Sequence, residues 1–180
     1  MSTTQSNNTP SNPATISYRN ATGKIDYQFT NDYMFRAILQ EHSNVLKGLV
    51  CSLLHLLPES VTDITITNPI ELGKSIDSKE FILDIAVKIN NNTLLNLEMQ
   101  VANELNWEDR SLGYLCRAFD HLYSGQPYSN ALPVIHIGFL DFQLFPDHSE
   151  FYAIHKLLNI KNYHLFSDKL TLSLVEFSVF

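Results

Sequence analysis

The chain has 180 residues, with 12 Lys and Arg against 19 Asp and Glu, a formal net charge of −7 at neutral pH. That balance argues against coating nucleic acid by bulk charge, but it leaves room for a local nucleic-acid site. With 44% hydrophobic and 17% charged residues, wholesale disorder is excluded and one domain is the default. No apolar run approaches the roughly 18 residues that a membrane span needs, so no membrane partner is expected. Cys51 and Cys116 are isolated, which gives neither a disulfide framework nor a zinc spacing. With no apolar signal-like segment at the N-terminus, a reducing, cytoplasmic setting is expected.

Residues 1–20 are dominated by Ser, Thr, Asn and Pro, which bury too little to offset ordering entropy, so a disordered tail is expected there. Order is expected from Tyr27. Thr30 or Asn31 caps a first helix, with Met34, Phe35 and Ile38 at helical spacing. Ser43 is the expected cap of a second helix, whose apolar positions Val45, Leu46, Leu49, Val50, Leu53 and Leu54 run until Pro58 stops it. Cys51 falls among these and reads as a core residue. Val61 to Leu72, rich in Thr, Ile and Val but holding Pro69, reads as a short or edge strand.

The clearest pattern follows. From Phe81 every second residue is apolar (Phe81, Leu83, Ile85, Val87 and Ile89), and after Asn90-Asn91-Asn92 the pattern resumes at Leu95, Leu97, Met99 and Val101. This predicts a β-hairpin with a three-residue Asn turn. Trp107, Leu115, Ala118 and Leu122 predict a third helix ended by Gly125 and Pro127. Leu132–Phe142, Phe151–Ile154 and Leu170–Phe180 read as strands. The order predicts an α/β (α+β) core, a central mixed sheet flanked by helices. The last strand pattern runs into Phe180, so a domain over 27–180, truncated at its C-terminus, is the expectation.

A three-residue turn keeps both apolar sets on one side of the hairpin and sets Asp84 opposite Glu98. The other face then carries Asp84, Ala86 and Lys88 from one strand and Asn96, Glu98 and Gln100 from its partner. Two carboxylates facing across a ladder repel. A hard divalent cation between them would relieve this, activate water and polarise a phosphodiester, with Gln100 placed to hold the water. The bland alternative is a solvated outer face, with Lys88 offsetting the charges.

Asp84 followed by Leu97-Glu98-Met99-Gln100 resembles the restriction-endonuclease-like PD-(D/E)xK superfamily, and more narrowly the Rpn family of recombination-promoting nucleases and transposases. Two further segments match that family in order: Asn31-Asp32-Tyr33-Met34-Phe35-Arg36 before the hairpin, and a helix with Arg110 and Tyr114 after it. The resemblance covers Tyr27 to Phe180. It implies a magnesium- or manganese-dependent DNA endonuclease linked to transposition or recombination, with Asp84 and Glu98 as metal ligands and Gln100 as the third catalytic residue. It makes Asp32, Arg110 and Tyr114 secondary site candidates. Gln100 stands where the superfamily has Lys, which would bring positive charge to the transition state; Gln brings hydrogen bonds alone. Leu83 stands where Pro is frequent.

Other readings are weaker. Arg110, Tyr114, Arg117 and His121 form one helical stripe that suits a phosphate backbone or simply water. Asp32 is also well placed for the helix dipole alone. His136 reads as a packed or half-exposed strand residue. The histidines show no metal spacing, and no Gly-rich phosphate loop or Ser-His-Asp motif is visible. The partners expected are DNA and, as a further candidate, a second copy in a homo-oligomer. The alternative function is a catalytically inactive nuclease-fold module that binds DNA or a protein partner.

Overall fold

The computed structural model describes residues 28–68, 84–120, 122, 124–148 and 150–179. The expected tail over 1–20, and the expectations for residues 69–72, Phe81, Leu83, His121 and Phe180, lie outside these residues.

Two helices open the described chain, α1 (Asp32–Glu41) and α2 (Ser43–Leu53). Six strands follow: β1 (Ile64–Ile66), β2 (Asp84–Ile89), β3 (Thr93–Gln100), β4 (Val134–Leu140), β5 (Tyr152–Lys156) and β6 (Leu170–Glu176), with α3 (Trp107–Phe119) between β3 and β4. They form one mixed sheet in the order β1-β2-β3-β4-β6-β5. The β3–β4 and β4–β6 pairings are parallel and the other three antiparallel. β1 is an edge strand, as its composition suggested.

Alternation along the strands builds two layers. Ile85, Val87, Leu95, Leu97, Met99, Ile137 and Phe139 meet Phe35, Leu39, Leu46 and Val50 of α1 and α2 in the main core. On the opposite face, Trp107 of α3 packs with Leu140 and Leu174 in a smaller cluster. The sheet thus lies between a helix pair and a single helix, the mixed, helix-flanked architecture expected. Burying this much apolar surface is the main favourable term of folding.

The hairpin has the predicted register: Asp84 pairs with Glu98 and Ile89 with Thr93, which leaves Asn90 to Asn92 as the turn. Asn90 and Asn91 take positive φ values of 48° and 57°, a region that Asn tolerates better than most residues. The Asn90 side chain also ties the turn to the approach of β1, accepting from the Thr62 and Asp63 amides at 2.9 and 3.1 Å.

Several expectations are corrected. Ser43 is the first residue of α2 and His42 its cap. α2 ends at Leu53, well before Pro58, which instead opens a 3-10 turn over Pro58–Ser60. α3 ends at Phe119 and excludes Leu122: Asp120 is its C-cap, with its amide donating the last helical hydrogen bond to the Cys116 carbonyl. The last strand stops at Glu176, where a 3-10 turn over Phe177–Val179 takes over. The largest correction concerns the polar hairpin face. It is no outer face: β3 is an interior strand with β4 in parallel beside it and α3 above, so Glu98 is 0% and Gln100 6% exposed. Among the described residues no helix is long and apolar enough to cross a membrane.

Candidate active site

The site lies where the end of β3, the first turn of α1 and the start of α3 come together. Asp84 and Glu98 are partners across the β2–β3 ladder, and directly opposed residues share a face. For Asp84 the described feature is this backbone register.

Glu98 is wholly buried, and α3 supplies its counter-charge. Arg110 Nη2 donates to Glu98 Oε1, and Arg110 Nη1 lies 3.8 Å from the exposed Glu104 carboxylate. The guanidinium also stands 5.8 Å from the centre of the Tyr114 ring, one helical turn on. Burial opposes the Arg110 charge, but the Glu98 carboxylate and Tyr114 outweigh it and hold the group above its ordinary value. Arg110 is therefore drawn inward, whereas Arg117 on the same helix is exposed. The expected four-residue stripe does not act as one surface among the described residues.

The segment Asn31 to Arg36 has a task at nearly every position. Asn31 Oδ1 accepts from the Met34 amide at 3.0 Å and caps α1. Phe35 is 0% exposed, with its ring centre 5.1 Å from that of Phe139. Arg36 is buried and donates to the Asn68 carbonyl at 2.6 Å. The cap and the Phe35 anchor fix Asp32 against the charged pair Glu98 and Arg110. Burial raises the Asp32 carboxyl above its ordinary value of 3.8; Arg110 opposes the shift and Glu98 adds to it.

That shift has a testable consequence. A carboxyl raised on folding binds more protons folded than unfolded, so its contribution is full below about 3.8 and is lost as pH rises through the folded value. Asp32→Asn is expected to raise the melting temperature in chelated buffer at pH 7, and to leave no such gain at pH 3.5. Melting curves at both pH values check this.

Three buried oxygens in this corner have no protein donor: Asp32 Oδ1, Glu98 Oε2 and Gln100 Oε1. The Gln100 amide is oriented by its other end, because Nε2 donates to the Ala102 carbonyl at 2.8 Å. Buried acceptors without donors are uncommon, and oxygen acceptors of this kind suit a hard divalent cation. No group of three or more His, Cys, Asp or Glu among the described residues has metal-site geometry. The described side chains that offer such oxygens are Asp32, Glu98 and Gln100, and Asp84 stands opposite Glu98 in the β2–β3 register. Beside it on the sheet a groove of ≈ 450 Å³ is lined by Asn68, Ala86, Asn96, Tyr114 and Arg117.

The model of a PD-(D/E)XK nuclease family transposase matches residues 29–180. The chain belongs to the PD-(D/E)XK nuclease family transposases. Its sheet and flanking helices are the α+β restriction-endonuclease-like fold, and its function is nuclease- and transposase-related. No curated protein and no solved structure matches it. PD-(D/E)XK nucleases generally use divalent metal ions.

In this PD-(D/E)XK chain Gly138 carried no expectation, and His136, expected as a packed or half-exposed strand residue, is packed, with Glu98 as an unexpected neighbour. Gly138 lies opposite Glu98 on β4, and a Cβ there would stand 2.1 Å from Trp107 Cζ2. A glycine inside an apolar strand run is a signal for such close approach. His136 is 0% exposed with Nε2 3.4 Å from Glu98 Oε2. Only the parallel pairing of β3 with β4 brings it there, and no local sequence signal marks that.

Proposed function

We propose that this chain, over residues 27–180, is a divalent-cation-dependent DNA endonuclease that hydrolyses phosphodiester bonds in transposition or recombination. Asp84 and Glu98 are the ligands of magnesium or manganese, Asp32 is an auxiliary carboxylate, and Gln100 is the third catalytic residue. The observation that carries the reading is the set of donor-free buried oxygens on Asp32, Glu98 and Gln100 in a chain of this family.

A divalent cation bound there would supply an activated water and polarise the scissile phosphate. Gln100, with its Nε2 tied to the chain, offers Oε1 as a fixed acceptor that orients that water. Gln100 lacks the positive charge of the usual Lys, and Arg110 on Glu98 supplies a cation in its place, where it can stabilise charge developing on the phosphate. The groove past Tyr114 and Arg117 gives a DNA backbone a path to the site.

The second reading, an inactive module that binds DNA or a protein partner, is favoured by the same Arg110. Its guanidinium already satisfies Glu98 Oε1, which a cation would have to share or win. Supercoiled-plasmid nicking decides between them. The expected result is nicking with magnesium or manganese that chelation stops and Asp84→Asn removes. Plasmid that is retained on the protein but never nicked would establish the second reading.

A further inference from the structure

We propose that His136 is a positioning residue for Glu98, holding its carboxylate in the orientation that a cation needs. The inference rests on the metal-ligand role of Glu98 proposed above. Asn96 and Glu98 lie two apart on one strand, on one face, and His136 is the partner of Asn96 on β4. The imidazole is wholly buried and held between aromatic rings, with its centre 5.7 Å from that of Trp107 and 6.1 Å from that of Tyr114. Its two nitrogens therefore point along fixed lines. Nδ1 faces the Asn96 amide nitrogen at 3.0 Å, and Nε2 faces Glu98 Oε2 at 3.4 Å.

These contacts assign the tautomer. An amide nitrogen only donates, so Nδ1 accepts and a neutral ring carries its proton on Nε2, toward the carboxylate. Neither Nε2 nor Oε2 has a made hydrogen bond in this arrangement. A small reorientation of either side chain lets Nε2 donate to Oε2. A carboxylate oxygen has a second lone pair, so a donor from His136 still leaves Oε2 able to meet a cation. Arg110 holds the other oxygen, Oε1. Between Arg110 and His136 the carboxylate plane has little freedom to turn, which lowers the entropic cost of binding a cation in one geometry.

Two measurements test this on the full chain. Long-range nitrogen–proton NMR of the histidine-labelled, metal-free protein, assigned by the signal lost in His136→Gln, reads the tautomer directly. The expected signature is a protonated Nε2 and a bare Nδ1; a proton on Nδ1 alone overturns the inference. Calorimetric titration of Mn²⁺ compares parent, His136→Phe and His136→Gln, each with its melting temperature recorded. His136→Phe keeps the ring but removes the donor, and is expected to weaken Mn²⁺ binding about tenfold or more, as loss of an outer partner does at metal sites. His136→Gln restores a donor near the position of Nε2 and is expected to recover most of that loss. Equal Mn²⁺ binding by parent and His136→Phe, or a His136→Gln as weak as His136→Phe, overturns the inference alone. A parent that binds no Mn²⁺ overturns the metal reading of Glu98 and the positioning role with it, whichever tautomer is found.

Discussion

Glu98→Gln is expected to reduce plasmid nicking at least about a hundredfold, because even outer partners of metal sites are worth about 10–100-fold and Glu98 is read as a ligand itself. The same change is expected to cost stability. Two effects compete. Removing one carboxylate relieves its repulsion with Asp84 across the ladder, worth a few tenths to about 1 kcal/mol for a cross-strand pair. It also removes the negative charge that Arg110 holds inside the protein, leaving at best a neutral carboxamide oxygen as acceptor. A charge-assisted hydrogen bond is worth about 1.5–3 kcal/mol, and Arg110, with 20% of its side chain exposed and Glu104 nearby, recovers part of that. The ion pair wins, and a net loss of about 1 kcal/mol is expected. Denaturant titration in chelated buffer checks this. A gain in stability would mean that the Arg110 contact contributes less than the carboxylate repulsion.

Gly138→Ala is expected to be the most damaging single methyl in the described fold. The new Cβ would lie 2.1 and 2.6 Å from two carbons of the Trp107 ring, and Trp107 is itself 2% exposed. Overpacking of this kind costs about 1–3 kcal/mol, and the upper end is expected because a rigid ring must move. Trp107 begins α3, so its displacement carries Arg110, three residues on, away from Glu98. Stability and cleavage should therefore fall together. Trp107 is the only tryptophan in the sequence, so its fluorescence reports the event directly. A red-shifted emission with a lower denaturation midpoint is expected; unchanged emission would show that α3 does not bear on Gly138.

Local patterns carried much of this architecture into view. The period-2 alternation around Asn90–Asn92 specified both the hairpin and its register, since a one-residue slip would have reversed every side chain. The Asn31 cap and the buried Phe35 were legible for the same reason, each being set by its near neighbours. Burial of the polar face was not legible. Alternation shows which residues share a face, but what covers that face depends on β4 and α3, which pair with β3 from far along the chain. Helices covering both faces are the usual setting of parallel strands, and the parallel crossover was hidden in the spacing between β3 and β4. His136 and Arg110 became neighbours of Glu98 only through that crossover. Ser43 and Pro58 misled at the ends of α2 because a cap-forming residue and a helix breaker each permit a boundary without fixing its position.

The most direct measurement is calorimetric titration of Mg²⁺ and Mn²⁺ into the purified chain beside Asp84→Asn and Asp32→Asn. Saturable binding by the parent is expected, lost in Asp84→Asn and weakened in Asp32→Asn, with all three chains folded by circular dichroism. Binding of equal strength in all three folded chains, or none in the parent, would contradict a cation held between β2, β3 and α1.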